Sequence, residues 1–224
     1  MLDFQSIGDA AGVVREQFVT VRRMLNAGSG PGSARRVAGM IAGANWEEVR
    51  LDIDPNVRPD IVGSITKLDD SFGPESFDAV WSSHVLEHLY AHEVFPALRQ
   101  FQRILKPDGF ALVMSPDLEA VAAFIVERGL TEVAYDSPAG PIRPLDMLYG
   151  HSRAIEEGRF FMAHRTGFTA ERLASLLVQA GFASVFTRSE NFEICALALM
   201  PNADGEAIQR QLERCGFNFR EPPA

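Results

Sequence analysis

Short apolar segments alternate along the chain with segments whose apolar residues recur at helical spacing. The predicted strands cover 24–27, 46–54, 60–65, 77–82 and 110–114, and the predicted helices cover 7–20, 33–42 and 91–105. Strands that alternate with helices are joined by crossovers, which make neighbouring strands parallel. The pattern therefore predicts an α/β fold, a doubly wound and mostly parallel sheet with helices on both faces.

The periodicity weakens after the fifth strand. We predict that residues 117–165 form an insertion over the carboxyl edge of the sheet, where such folds bind their ligands. A helix is expected over 169–180, with Thr169 as N-cap and Gly181 ending it. Closing strands follow near 185–186 and 194–200, and the last strand is expected to run antiparallel. These are the predicted parts of one domain over 1–224, with a lead-in helix within 1–22 and a tail over 201–224.

Composition narrows the class of protein further. A net charge of −9 argues against nucleic acid as the main partner, because phosphate binding needs clustered cations. Cys195 and Cys215 lie in different segments without metal-site spacing, so neither a disulfide framework nor a zinc site is expected. We find no apolar stretch of membrane-spanning length and no signal pattern at Met1. These features predict a cytoplasmic protein without a membrane partner.

The segment 26–33 holds glycines at alternate positions between a strand and a helix. Glycine accepts positive φ and lets a ligand approach the backbone without meeting a Cβ. The helix that follows would direct its free N–H groups and positive dipole end at the contents of the turn. We therefore expect the turn to bind an anionic or carboxylate-bearing ligand.

Together with later motifs, this turn resembles that of class I S-adenosylmethionine-dependent methyltransferases, in the type 11-like subgroup that acts on small molecules. The motifs are Asn26-x-Gly28-x-Gly30-x-Gly32, Leu51-Asp52-Ile53-Asp54-Pro55, Ser76-Phe77-Asp78-Ala79-Val80, Ser83-His84-Val85-Leu86-Glu87-His88, and Arg103-Ile104-Leu105-Lys106-Pro107-Asp108-Gly109. The resemblance covers about 24–200 and implies a Rossmann-like sheet with S-adenosyl-L-methionine as cofactor.

The resemblance also implies which residues bind the cofactor. The methionine part would lie on the glycine turn, formed by Asn26, Ala27, Gly28, Ser29, Gly30 and Gly32. A carboxylate at the end of the second strand is placed to accept hydrogen bonds from the two vicinal ribose hydroxyls. The family pattern favours Asp52, and alternation along Asp52-Ile53-Asp54 leaves Asp54 as the second candidate.

Beside the adenine the family carries an acid followed by an apolar residue, and here Ser64 and Ile65 stand in that place. Serine departs from the pattern and weakens the expected hydrogen bond to the adenine amino group. Ser83 and His84 are expected to line the floor below the sulfonium, although His84 could instead be a structural histidine.

Methyl transfer requires alignment of nucleophile, methyl carbon and sulfur, and a base helps only when the nucleophile carries a proton. The candidates for that base are His84, His151 and His164, and Asp117 after the fifth strand is a further candidate. As metal ligands, His151 and His164 lack a third partner at a suitable spacing, so no metal site is predicted.

The expected reaction is methyl transfer to a small-molecule or carrier-bound acceptor. Because Ser82-Ser83-His84-Val85 replaces the Asn-Pro-Pro-Tyr run of related enzymes, a nucleic-acid substrate is disfavoured. Departures at Asn26 and Ser64 leave open a non-catalytic binding or assembly protein of the same fold. The glycine spacing disfavours an NAD-dependent oxidoreductase. The apolar insertion and lead-in helix could form a homodimer contact.

Overall fold

The computed structural model describes residues 21–31, 46–137 and 140–219. Its strands are β1 Arg22–Ala27, β2 Trp46–Asp52, β3 Ile61–Val62, β4 Phe77–Ser83, β5 Leu105–Pro116, β6 Tyr135–Ser137, β7 Gly140–Ile142, β8 Ser184–Glu190 and β9 Glu193–Leu199. Its α-helices are α1 Ala91–Ile104, α2 Leu118–Arg128, α3 Pro144–Tyr149, α4 Ser152–Glu156, α5 Ala170–Ala180 and α6 Gly205–Glu213. The predicted helices over 7–20 and 33–42 lie outside the described residues.

Seven strands form one sheet in the order β3-β2-β1-β4-β5-β9-β8. The β1, β2, β3, β4 and β5 strands pair in parallel, and β9 is antiparallel to both β5 and β8. The predicted mostly parallel sheet with an antiparallel last strand is therefore confirmed. A direct consequence is that β9 begins at the edge where β4 and β5 end, so that Glu193 pairs with Pro116.

Side chains alternate between the two faces of the sheet, and each face has its own apolar core. On β5, Ala111 and Val113 join the core that α1 and α5 cover, whereas Leu112 and Met114 join the core beneath α6. Because both faces are buried, the central strands are nearly continuous apolar runs, as the sequence predicts. Helices on both faces are thus confirmed within the described residues.

The strand bounds differ from the prediction mainly at three strands: β3 is limited to Ile61–Val62, β8 extends over Ser184–Glu190, and β5 begins at Leu105 rather than at residue 110. Residues 106–109 carry turn chemistry, and the sequence therefore indicates a break there. The strand continues through them as an irregularity, since Leu105 pairs with Phe77 and Phe110 pairs with Ala79. Turn residues here change the register without ending the strand.

The predicted helix after the insertion is present as α5. Thr169 is its N-cap and accepts a hydrogen bond from the Arg172 amide at 3.2 Å. Gly181 ends it in the left-handed region, with φ of 106°. Both end signals are local, which is why the sequence was sufficient to place this helix.

The insertion over 117–165 contains α2, the β6–β7 hairpin, α3, α4 and a 3₁₀ turn over Phe160–Met162. Its end is attached to the sheet edge, because the Arg165 amide donates to the Glu87 carbonyl at 2.8 Å. The insertion therefore faces the carboxyl ends of β4 and β5. Among the described helices, none has the length and apolarity needed to cross a membrane.

Candidate functional site

A cavity of about 420 Å³ lies at the carboxyl ends of β1, β2 and β4, and we call it the cofactor cavity. Eleven of the predicted cofactor residues border it: Asn26, Gly28, Ser29, Gly30, Asp52, Ile53, Asp54, Ser64, Ile65, Ser83 and His84. Ala27 is fully buried below the turn, and Gly32 lies outside the described residues. The volume of the cofactor cavity falls within the range of roughly 300–1,000 Å³ that is typical of small-molecule pockets.

The glycine turn has the backbone that the sequence predicts. Gly28 has φ of 73° and Gly30 has φ of 60°, both in the region that favours glycine. A Cβ added to Gly28 would lie 2.3 Å from Val85 Cγ2, so a side chain there is excluded. A Cβ on Gly30 would meet no protein atom within 4 Å, so that position is open space beside the cavity.

The amide groups of the turn are held by β2. Gly28 and Ser29 donate to the Leu51 carbonyl at 2.8 and 3.1 Å, and Gly30 donates to Asp52 Oδ2 at 2.8 Å. These three donors therefore bond within the protein in this structure. The expected contact between turn amides and a ligand carboxylate would need other donors or a rearranged turn.

The two acids at the end of β2 have different partners. Asp52 accepts from the amides of Gly30 and Asp54, the latter at 2.9 Å. Asp54 accepts through Oδ1 from the backbone and side-chain nitrogens of Asn56, at 2.9 and 2.8 Å. Asp52 thus holds the glycine turn, whereas Asp54 caps the turn that follows β2.

Ser64 bonds locally at the far end of the cavity. Its Oγ lies 2.9 Å from Thr66 Oγ1 and accepts from the Thr66 amide at 3.3 Å. A serine hydroxyl engaged in this way is a poorer acceptor for an adenine amino group than the family's carboxylate. The departure noted in the sequence therefore corresponds to a local turn.

Two cations that the sequence analysis missed, Arg159 and Arg165, also border the cofactor cavity. Arg165 donates from Nη1 to the His88 carbonyl at 2.7 Å, and its guanidinium lies 5.0 Å from the centre of the Tyr90 ring. Both arginines come from the insertion. No local signal distinguishes them from surface arginines, because the fold alone brings the insertion to the cavity.

A second cavity of about 910 Å³ adjoins the first, and we call it the acceptor cavity. His84, His88 and Met162 border both cavities. Of the two cavities, His151 and His164 line only the acceptor cavity. The three predicted histidines are therefore brought to one region, with His84 at the junction.

His84 lies between two carboxylates. It has φ of 56°, its Nδ1 is 3.2 Å from Glu87 Oε1, and its Nε2 is 2.7 Å from Glu193 Oε2. The side chain of His84 is 46% exposed, and this exposed part borders the two cavities inside the protein. Desolvation alone would lower the pKa of His84, but the bonds to Glu193 and Glu87 raise the pKa to about 10.

Glu87 is the buried partner in this group, with 1% of its side chain exposed. It also accepts from Ser115 Oγ at 3.0 Å. Burial would raise the pKa of Glu87, but the hydrogen bond and charge of His84 hold the pKa below its usual value. The carboxylate is therefore ionised at neutral pH. The sequence analysis named Glu87 only as part of a motif, without a role, and it missed Glu193.

The other two histidines differ in their contacts. His164 Nδ1 lies 2.8 Å from the Met147 carbonyl, and desolvation lowers the pKa of His164, which is therefore neutral near pH 7. His151 accepts from the Ala154 amide at 3.3 Å through Nδ1 and so caps α4.

Residues 25–113 match the family model described as a methyltransferase domain. The match covers the second half of β1, all of β2, β3 and β4, and most of β5, including the three strand ends that border the cofactor cavity. No curated protein sequence gives a significant match.

The fold is similar to the folds of several solved structures. A SAM-dependent methyltransferase from Archaeoglobus fulgidus is 16% identical, with 81% of this chain and 87% of that chain covered and a TM-score of 0.53. The PH0226 protein from Pyrococcus horikoshii is also 16% identical, with 82% and 84% covered and a TM-score of 0.54. The CMeT domain of the citrinin polyketide synthase is 17% identical, with 81% and 46% covered and a TM-score of 0.52. At these identities the likeness establishes the fold.

Proposed function

We propose that this chain is a class I S-adenosylmethionine-dependent methyltransferase, which the match over residues 25–113 and the strand order support, and that its acceptor is a small molecule or a carrier-bound intermediate. The observation that carries this proposal is the pair of adjoining cavities. One is bordered by the glycine turn and Asp52, and the other is lined partly by the insertion and partly by the ends of β5, β8 and β9. An in-line displacement needs the acceptor and the cofactor to meet from opposite sides.

S-adenosylmethionine supplies a methyl group on a cationic sulfur. The residues of this chain fit the cofactor because the cavity has adequate volume, an acidic residue at its strand end and glycines where a side chain would intrude. We assign ribose binding to Asp52, and the methionine part to the glycine turn. Arg165 and Arg159 offer cations for a carboxylate.

The acceptor would enter through the larger cavity. Its wall combines aromatic side chains with acidic groups, including Tyr135, Phe192, Asp146 and Glu190. A cavity of about 910 Å³ accommodates a small molecule or the end of a carrier-bound chain. His84, His88 and Met162 would lie where acceptor and methyl group meet.

Within this arrangement we assign His84 a positioning role. Both of its ring nitrogens are bonded to carboxylates, so neither offers a free lone pair to an acceptor proton. His84 would instead fix Glu87 and Glu193 on either side of the junction. His151 is assigned to helix capping, and His164 remains beside the acceptor.

Cofactor binding is tested by thermal shift with S-adenosylhomocysteine, using NAD as the control ligand. A ligand at 100 times its dissociation constant should stabilise the protein by about 2.7 kcal/mol. NAD should leave the melting temperature unchanged. If neither ligand changes the melting temperature, the result would favour the non-catalytic alternative.

The acceptor class is tested separately by release of S-adenosylhomocysteine. Purified protein is incubated with S-adenosylmethionine and pools of small molecules or loaded carrier proteins. Turnover above the background with one such pool is the expected result. Turnover only with DNA, RNA or a folded protein would contradict the proposed acceptor class.

A further inference from the structure

Glu87, His88 and His164 form a cluster at the junction of the two cavities. One ligand atom from each of these side chains lies within 4.8 Å of the other two. The cluster depends on the insertion, since the amides of Arg165 and Thr166 donate to the Glu87 carbonyl at 2.8 and 3.3 Å. These bonds bring His164 next to two residues that precede it in the chain by more than seventy positions.

Both imidazoles in the cluster are oriented by backbone carbonyls. His88 Nδ1 lies 3.3 Å from the Ala163 carbonyl, and His164 Nδ1 lies 2.8 Å from the Met147 carbonyl. A carbonyl can only accept, so each Nδ1 carries the proton and each Nε2 keeps a lone pair when the ring is neutral. Metal-ligating histidines are typically held in this way, with the second nitrogen donating to a carbonyl or carboxylate.

The third member of the cluster is a buried carboxylate. The side chain of Glu87 is 1% exposed. Its Oε2 accepts a hydrogen bond from Ser115 Oγ, and its Oε1 is hydrogen-bonded to His84 Nδ1. Each carboxylate oxygen has two lone pairs, so each oxygen keeps one lone pair with which to bind a cation. The partners also fix the carboxylate beside the two histidines, as outer partners of metal ligands do.

From this arrangement we propose that Glu87, His88 and His164 bind a divalent transition-metal ion of the zinc class. Two imidazoles and one carboxylate with an open position are a ligand set found in catalytic zinc sites. Imidazole favours zinc and its neighbours over magnesium or calcium. Ligand atoms around one zinc ion lie about 3–3.5 Å apart, so small side-chain rotations would close the site.

The position of the site indicates a use for the ion. His88 borders both cavities and His164 borders the acceptor cavity, so an ion held by them would be within reach of a molecule in the acceptor cavity. The ion would hold an oxygen or nitrogen donor of the acceptor beside the cofactor cavity. This use rests on the proposed methyl transfer, whereas cation binding does not.

Cobalt is the probe for binding, because its visible absorption reports coordination directly. Full-length protein freed of metal by chelation is titrated with Co²⁺ without any cofactor, and the titration is repeated with Zn²⁺ in competition. One Co²⁺ per chain, displaced by one Zn²⁺, is the expected result. Absence of stoichiometric Co²⁺ binding would overturn the proposal.

The ligands are tested with His88→Gln and His164→Gln. Each should weaken Co²⁺ binding by at least about tenfold, since even outer partners of a metal site have effects of that size. The control is His92→Gln, because His92 is exposed on α1 and stacks on Tyr90 outside the cluster. Equal Co²⁺ affinity in His92→Gln and both cluster variants would overturn the assignment.

A measurement on the unaltered protein covers the case in which a variant does not fold. Long-range ¹H–¹⁵N spectra record the ring nitrogens of His88 and His164 with and without Zn²⁺. The Nε2 resonances should move on Zn²⁺ addition while those of His92 stay. Unchanged Nε2 resonances would refute the site. Thermal shift with S-adenosylhomocysteine, read separately, distinguishes this failure from failure of the proposed function.

Discussion

Gly28 lies in the glycine turn that borders the cofactor cavity, and two of its properties exclude a side chain at this position. Its φ of 73° strains any L-residue, and an added Cβ would lie 2.3 Å from Val85 Cγ2. The left-handed backbone costs about 1–2 kcal/mol and overpacking costs about 1–3 kcal/mol. We therefore expect Gly28→Ala to lose about 2–5 kcal/mol of unfolding free energy and to weaken S-adenosylhomocysteine binding.

Denaturant unfolding and ligand titration measure these two effects. Gly216→Ala is the matched control, because Gly216 has φ of 89° but an added Cβ meets no atom within 4 Å. It should show the backbone cost alone. Equal losses in the two variants would mean that contact with Val85 plays no part.

The choice between Asp52 and Asp54 is also decided by single residues. A charge-assisted hydrogen bond is worth about 1.5–3 kcal/mol, which corresponds to a roughly 10- to 150-fold change in affinity. Asp52→Asn should weaken S-adenosylhomocysteine binding by that factor, measured by calorimetry, and Asp54→Asn should change it less. The reverse order would transfer ribose binding to Asp54.

At the scale of elements, the start of α5 depends on one hydroxyl. Thr169 accepts from the Arg172 amide at 3.2 Å, and loss of such a cap typically costs about 1 kcal/mol. Thr169→Ala should therefore lower the melting temperature by about 2–4 °C. Thr131→Ala, in an exposed loop, is the control. A similar decrease in both variants would argue against the cap.

A second element-scale prediction concerns the joint between α3 and α4. Asp146 accepts from the Arg143 amide at 3.1 Å and from the amide and hydroxyl of Ser152 at 3.2 and 2.7 Å. Partial burial would raise the pKa of Asp146, but these bonds outweigh it and hold the pKa below its usual value. Its stabilising effect is therefore present above the unfolded pKa and is lost as pH falls through the folded pKa.

Urea unfolding at several pH values tests whether the stabilising effect of Asp146 is lost as the pH falls. Asp146→Asn should lose about 0.5–1.5 kcal/mol near pH 6, and the difference from the unaltered protein should shrink below about pH 4. The exposed Asp136→Asn should show little difference at either pH. A difference that grows on acidification would contradict the assignment.

For the molecule as a whole, the position of each strand in the sheet, relative to the two apolar cores, predicts where local stability is highest. β4 lies in the middle of the sheet, with apolar cores on both faces, whereas β6 and β7 form a separate two-stranded hairpin. Hydrogen exchange read by mass spectrometry should therefore be slowest in β4 and β5 and fast in β6 and β7. Equal protection of the hairpin and β4 would show that the insertion opens only with the core.

Cytoplasmic location and a homodimer stay predictions, since both concern properties that one chain's contacts do not test. The lead-in helix, which the sequence relates to such a dimer, lies outside the described residues.

The sequence by itself determined the elements and the cofactor end of the site. Alternation of apolar runs and helical periodicity placed β1, β4, α1 and α5, because those signals come from neighbouring residues. The glycine turn and the acids after β2 follow strand ends, and parallel strands end at one edge, so their meeting was predictable. Residues 106–109 show the limit, since turn chemistry there changes a register without ending the strand.

Only the tertiary structure decided what surrounds the reacting end. His84 finds Glu193 at a separation of 109 residues because β9 runs antiparallel and begins where β4 ends. His164 meets Glu87 and His88 because the insertion is bonded to the turn that follows β4. Such contacts depend on strand order and on how an irregular segment folds back, and neither is encoded in local periodicity. The sequence therefore names the cofactor, while the packing of distant segments sets the chemistry beside it.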